Sequence, residues 1–214
     1  MFLALDADGL GLCDAAAPRT PPLRADFTGA DVDRRLQGGR RSALARALGL
    51  HRRPVQSVFD ATCGLARDSA VLLGLGCEVR AAERHPVMRA LIEDGLARAM
   101  RESPERLQGW HGLVAGDATD WLAARPAPVA DVIYLDPMFG DAGRRALPKQ
   151  PMQTLDTVVG DDEDPERLLA VARARAGRRV VAKRHRRAPA LAPPDLRIDT
   201  RGARFDIYLC PEPP

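Results

Sequence analysis

The chain has only four cysteines, Cys13, Cys63, Cys77 and Cys210, widely spaced and with no CxxC pair. Such spacing offers neither a zinc site nor a disulfide framework, so no metal is expected, and reduced thiols in a cytosolic protein fit best. No apolar run approaches the roughly 20 residues that cross a bilayer. The first residues, MFLALDADGLGL, contain acids and no basic stretch, and do not read as a secretory leader. No segment repeats. Lysine is scarce: Lys149 and Lys183 are the two lysines among 32 basic residues. A guanidinium bias favours contacts to phosphate or carboxylate, although a GC-rich coding sequence would also raise Arg, Ala, Gly and Pro.

What is present describes a water-soluble domain with a real core. The 214 residues suit one domain with a small appendage. Of these, 45% are hydrophobic and 29% charged. A net charge of +3 permits a nucleic-acid partner without demanding one. The basic residues cluster twice, at Arg34, Arg35, Arg40 and Arg41, and again from Lys183 and Arg184 to Arg187. Each cluster is either a phosphate-facing patch or an ordinary solvated surface.

Residues 1 to about 30 are rich in Pro, Ala and Asp and read as a strand pair or an arm. SALARALGL predicts a helix opened by Ser42 as N-cap. From Ser57 the pattern becomes regular. SVFDA, EVRAAE, LVAGD, ADVIYLDP and RRVVAKR predict five buried strands. Between them RDSAVLLGLG, HPVMRALIEDGLARAM, ATDWLAA and PERLLAVARARA predict helices, the second with Pro86 in its first turn. LRIDT and RFDIYLC flank Arg201-Gly202-Ala203 and predict an antiparallel hairpin. Strands alternating with helices give a mostly parallel α/β sheet with right-handed crossovers and an antiparallel C-terminal edge. The expected division places an N-terminal extension at 1–56 and the main domain at 57–214.

Candidate chemistry gathers at the predicted strand ends. Asp60-Ala61-Thr62-Cys63-Gly64-Leu65-Ala66-Arg67-Asp68 spans a strand-to-helix turn, where Gly64 permits close backbone approach and the helix start offers N–H donors. It lacks the GxGxxG spacing of a nicotinamide fold. Glu83 ends the second strand, where an acid can accept both ribose hydroxyls; a solvated Glu83 paired with Arg84 is the plainer reading. Asp117 ends the third strand, placed to accept from an adenine amino group or to cap the next helix. Tyr134-Leu135-Asp136-Pro137-Met138-Phe139 ends the fourth. An exocyclic base amine is a poor nucleophile because its lone pair is delocalised. A carboxylate at Asp136 and a carbonyl in the stiff Pro137 turn can accept its two N–H bonds, and Phe139 can stack on the ring, unless it merely covers the core. Lys183 ends the fifth strand, where it could hold a phosphate or a base carbonyl, or lie in solvent. His185 is given no catalytic role.

DRRLQGGRR, FDATCGLARD, LGCEVRAAERHPV, DGLARA, VIYLDPMF, VVAKR and RFDIYL together resemble the bacterial ribosomal RNA small-subunit methyltransferase J family over roughly residues 26–209. The resemblance implies a class I methyltransferase fold with a Rossmann-like seven-stranded sheet. It also implies S-adenosylmethionine as cofactor, S-adenosylhomocysteine as product, and methylation of guanine N2 in 16S RNA, as naked RNA or within the 30S subunit, in the cytoplasm. Cofactor contacts would fall on Arg67, Asp68, Glu83, Arg84, Asp117, Ala118 and Asp136. The chain departs from the family at Ala66, where a second Gly is usual, at Cys63, where Ala is common, at Asp117, often Ser, and at His185 in place of Pro. The loop after Phe139 is also poorer in Lys, and the N-terminal segment is shorter. Two alternatives stay open: transfer to another amine, adenine N6 or glutamine, and a noncatalytic RNA-binding assembly factor on the same fold.

Overall fold

Side-chain alternation along the strands sets the layering. The computed structural model describes residues 1–52, 57–137 and 164–210. In chain order its elements are β1 (Phe2–Asp6), β2 (Gly9–Cys13), α1 (Ala30–Leu36), α2 (Ala43–Leu48), β3 (Ser57–Asp60), α3 (Arg67–Gly74), β4 (Glu78–Glu83), α4 (Pro86–Glu102), β5 (Trp110–Ala115), α5 (Ala118–Ala123), β6 (Ala130–Leu135), α6 (Pro165–Arg175), β7 (Ala176–His185), β8 (Leu196–Asp199) and β9 (Ala203–Leu209). Val58, Val132, Tyr134 and Val181 enter one core with α2, α3 and α4. Their neighbours Phe59, Ile133, Leu135, Val180 and Ala182 enter the other with α5 and α6. Both faces of the sheet are therefore covered, which is why its central strands read as unbroken apolar runs.

The sheet order is β5-β4-β3-β6-β7-β9-β8. The first five strands are parallel, and β9 runs antiparallel to both β7 and β8. This is the mostly parallel seven-stranded sheet with an antiparallel C-terminal hairpin that the pattern predicts. From β3 the chain adds strands outward to β5, then returns to lay β6 on the other side of β3. The crevice of an open α/β sheet forms at such a reversal, beyond the C-terminal ends of the two strands. Asp60 and Asp136 therefore start on adjacent strand ends.

Local chemistry fixes the helix ends. The Ser42 hydroxyl accepts the Ala45 N–H at 3.2 Å, and Gly49, at φ +86°, closes α2. Pro86 stands in the first turn of α4, and His85 Nδ1 accepts the Val87 N–H at 3.3 Å, a cap that propensity did not single out. Residues 1–13 form the expected strand pair. Leu12, Leu23, Phe27, Leu44 and Leu48 share one core cluster with Val58 and Ile207, so the segment from β2 through α2 packs onto the sheet while β1 stays exposed. Among the described residues, no helix is long and apolar enough to cross a membrane.

The RFDIYL strand is a structural device. Phe205 and Ile207 face one core and Tyr208 the other. Arg204 Nε and Nη2 reach the Asp206 carboxylate at 2.9 Å, and Arg204 Nη1 donates to the Arg186 and Ala188 carbonyls at 3.0 and 2.7 Å. Both side chains are buried. Truncating one partner of a buried ion pair leaves the other charge uncompensated. Asp206→Ala is expected to lower the unfolding free energy by about 3 kcal/mol, the low end of the range because two carbonyls still hold Arg204. Urea denaturation reads this directly; a loss under about 1 kcal/mol would place the pair among weak surface contacts.

Candidate active site

The turn after β3 is built on two consecutive strand-end acids. Glu83, at the end of β4, accepts the Gly64 N–H on Oε2 at 2.9 Å and the His85 N–H on Oε1 at 2.7 Å. It thereby ties the turn to the second strand end. Gly64 sits at φ +57°, and a Cβ placed on it would have nothing within 4 Å among the described residues, so the turn borders open space there. Gly116, at φ +115° between β5 and Asp117, borders open space in the same way. Asp117 caps α5, its Oδ1 accepting from Thr119 and Asp120 at 2.7 and 3.0 Å. The side chain is nevertheless exposed, and Ala118 lies buried behind it.

A second set of charges lies across the reversal. Asp68, in the first turn of α3, is 8% exposed. Its Oδ1 accepts from Arg35, and its Oδ2 accepts from the Tyr134 hydroxyl at 2.5 Å and from Lys183 Nζ at 2.9 Å. Lys183 Nζ also donates to Asp136 Oδ2 at 2.7 Å. The Asp136 backbone N–H donates to Thr62 Oγ1 at 2.6 Å, which locks the ends of β3 and β6 together. Burial alone would lift the Asp68 carboxyl, but Lys183 and Arg35 outweigh it and hold the group well below the usual carboxylate range. For Lys183, burial works against the charge, and Asp136 and Asp68 more than restore it, so its ammonium is held more firmly than usual. Asp136 is raised from the ordinary value by burial and by Asp68, with Lys183 pulling the other way.

These contacts redistribute the predicted residues. Asp60, Thr62, Gly64, Asp68, Glu83, Asp136 and Lys183 meet at the crevice, with Pro137 buried just beyond Asp136. Arg67 is exposed at the start of α3 and Arg84 half-buried after β4. Two expectations of a phosphate-facing patch are corrected. Arg184 is buried, donating to the Pro189 carbonyl at 2.9 Å, because neighbours on a strand point to opposite faces and Lys183 alone turns to the crevice. Arg35 is spent on Asp68 and on the Arg67 carbonyl. Arg34 pairs with Asp31, while Arg40 and Arg41 stay exposed beside α2. Phe139 lies outside the described residues. Sequence reasoning gave Tyr134 no role of its own and placed Arg35 in a phosphate-facing cluster instead of at the crevice; the alternation of VIYLD, which turns Tyr134 inward on a strand of aliphatic side chains, was the available signal for the first.

Comparison with known proteins is consistent with this geometry. Residues 1–210 match the family model SAM_MT, described as "Putative SAM-dependent methyltransferase". The chain is 44% identical over 223 residues to the ribosomal RNA small subunit methyltransferase J of Laribacter hongkongensis, covering 100% of this chain and 76% of that one. It is 44% identical over 216 residues to the protein of the same name from Thioalkalivibrio sulfidiphilus, covering 98% and 84%. A SAM-dependent methyltransferase crystal structure from Neisseria gonorrhoeae superposes with a TM-score of 0.72 at 30% identity, covering 97% of this chain and 81% of that one.

The buried carboxyl under the turn has a measurable consequence. Asp60 is 1% exposed, with Ser69 Oγ donating to it at 2.6 Å and the Thr62 N–H at 3.3 Å. Burial, opposed by the Ser69 bond and aided by the Asp68 charge, pushes it up to about 7. The folded state thus holds a proton that the unfolded chain releases near pH 4. Stability from this group is full below that value and is lost as pH rises towards 7. Asp60→Asn keeps the hydrogen bonds without the charge. Relative to the parent, it should gain roughly 2–4 kcal/mol in unfolding free energy between pH 4 and pH 8. Equal pH dependence of the two proteins in urea melts would show that Asp60 stays ionised.

Proposed function

The chain belongs to the S-adenosylmethionine-dependent methyltransferase family, and from that premise we propose that it methylates guanine N2 in small-subunit ribosomal RNA. One observation carries the reading of the site. Asp136, with 39% of its side chain exposed, stands at the strand reversal, its backbone N–H bonded to Thr62 in the turn that carries Gly64. Its Oδ2 is taken by Lys183. Among the described residues, that leaves the rest of the carboxylate to face an incoming amine.

The residues around the β3 turn fit the cofactor. Open space beside Gly64 and Gly116 admits a ligand against bare backbone, and α3 begins there with no side-chain cap on its first N–H groups. Glu83 at the end of β4 supports ribose binding by its place, since an acid at the second strand end beside the Gly64 turn can accept ribose hydroxyls. Asp117 and Ala118 flank the adenine, Thr62 and Asp60 shape the turn, and Arg67 and Arg84 lie at its rim. Asp68 contributes through the helix start, since its carboxylate is engaged by protein donors. When bound, S-adenosylmethionine supplies an electrophilic methyl group on a sulfonium centre. Asp136 accepts one N–H of the guanine amine, a carbonyl in the Pro137 turn accepts the other, and Phe139 stacks on the base. The amine is thereby oriented and its developing positive charge stabilised. No metal enters this scheme. Residues 57–214 form the catalytic unit, and 1–56 an extension that brings Arg40 and Arg41 to the RNA, in the cytoplasm where ribosomal RNA is made.

Two measurements test this reading. Asp136→Ala should cut single-turnover methyl transfer to small-subunit RNA, at saturating cofactor, by on the order of 10²-fold or more while the fold survives. A folded variant at parental turnover would reject the amine-holding role. Arg40→Glu with Arg41→Glu should weaken RNA binding, flatten its dependence on salt and leave cofactor affinity unchanged, because phosphate contacts act through counterion release. Unaltered RNA affinity and salt slope would return those arginines to ordinary surface.

A further inference from the structure

Lys183 is the one lysine among the described residues, and it stands at the end of β7 in the crevice. Its ammonium bridges two carboxylates, Asp68 at 2.9 Å and Asp136 at 2.7 Å. The acceptor on the far side, Asp68, is itself fixed by Arg35 from α1 and by the Tyr134 hydroxyl from β6. We propose that Lys183 is a positioning residue for methyl transfer: anchored on Asp68, it fixes one oxygen of Asp136 and aims the other at the substrate amine. The inference rests on the amine-holding role of Asp136 and names the group that makes that role possible.

The argument is geometric first. A carboxylate that must accept from a base amine in one direction needs its rotation stopped. Two bonds do this: the Asp136 backbone on Thr62, and the Asp136 Oδ2 on Lys183. A lysine side chain is long and mobile, and would give no direction alone. Here its head is fixed by a second acceptor that sits in the first turn of a packed helix and holds two further donors. The orientation of Asp136 is thus inherited from Asp68, across the reversal between β3 and β6.

The charges agree with the geometry. Around Asp136 stand Lys183 from β7, Asp68 from α3, Arg35 from α1, Asp60 from the end of β3 and Tyr134 from β6; Arg184, further along β7, also feels its charge. Burial and the Asp68 charge both favour a protonated Asp136, and Lys183 is the principal group opposing them. A protonated Asp136 would present one acceptor fewer to the amine and would not stabilise positive charge on it. Removing Lys183 should therefore raise the pH at which activity is lost on acidification.

Lys183→Met is compared with the parent in single-turnover transfer across pH, at saturating cofactor and small-subunit RNA, with both affinities measured by calorimetry. The expected result is a rate lower by roughly 10–100-fold near neutral pH, an acid limb moved up by about one pH unit, and both affinities within about twofold. A parental rate overturns the proposal. So does a rate restored by more RNA, which would make Lys183 a phosphate or base contact, and so does a reduced rate with an unmoved acid limb, which would make its role structural. If Lys183→Met does not fold, Lys183→Gln carries the test: it keeps a hydrogen-bond donor without the charge and should still move the acid limb up, an unmoved limb overturning the proposal. Asp136→Asn separates the two readings. Parental turnover in that variant rejects the role of Asp136 itself, whereas a dead Asp136→Asn beside a fully active Lys183→Met rejects only the part given to Lys183.

Discussion

The buried carboxylate of Asp68 is the contact on which the site depends. It gathers an arginine from the N-terminal helix α1, a tyrosine from β6 and a lysine from β7 around the first turn of α3. A carboxylate that is only 8% exposed cannot stay charged without such partners. Its charge sums with that of Asp136 against Lys183 and Arg35, two negative and two positive. The cluster is neutral as it stands. A third carboxyl beside it, Asp60, is buried with no cation paired to it among the described residues, and burial, with the Asp68 charge, raises its proton affinity towards neutrality. Burial and charge balance together account for three carboxyls of the same type in one crevice with three different affinities for protons.

Strand parity decides which side chains take part. On β6, Tyr134 and Leu135 point to opposite cores, so the hydroxyl reaches α3 while the leucine packs with α5 and α6. On β7, Lys183 turns to the crevice and Arg184 to the opposite side, where Pro189 receives it. A run of basic letters such as Lys183-Arg184 looks like one patch in a sequence and is two unrelated contacts in a sheet. The same parity explains RFDIYL, whose alternate residues fill two cores while Arg204 and Asp206 satisfy each other.

Much of the architecture was legible in the sequence. The five parallel strands, the terminal hairpin and the helix bounded by Ser42 and Gly49 come from local rules of periodicity, capping and turn chemistry, which act over a few residues. Strand-end positions of Asp60, Glu83, Asp117 and Asp136 come in turn from the strands. Pairing across distance could not be read. Arg35 and Asp68 are 33 positions apart, and Lys183 and Asp68 are 115 apart. No spacing rule joins them, because their meeting depends on the order in which strands are laid beside β3. Arg35 therefore looked like one of four equivalent arginines until the fold placed it. The cap at Asp117 shows the reverse: a short-range contact foreseen as one of two roles, and found in the structure at the expected N–H groups.

The turn that these contacts support is itself strained. Gly64 and Ala66 both lie in the left-handed region, at φ +57° each, and for glycine this costs little. For an alanine the cost is about 1–2 kcal/mol. Burying the Ala66 methyl, which is fully enclosed, returns only about 0.8 kcal/mol. The remainder must be met by the neighbouring residues, and Asp68 with its three donors stands only two positions along the chain. The backbone bond from Ala66 N–H to the Cys63 carbonyl at 2.9 Å closes the turn from the other side. Held at both ends, the segment keeps a conformation that alanine would not choose, and that conformation sets α3 with its uncapped N–H groups towards the crevice. The charge cluster therefore has two outputs. Through Lys183 it fixes Asp136 Oδ2, and from the first turn of α3 it stands beside the Gly64 turn, so both sides of the crevice meet at one buried carboxylate.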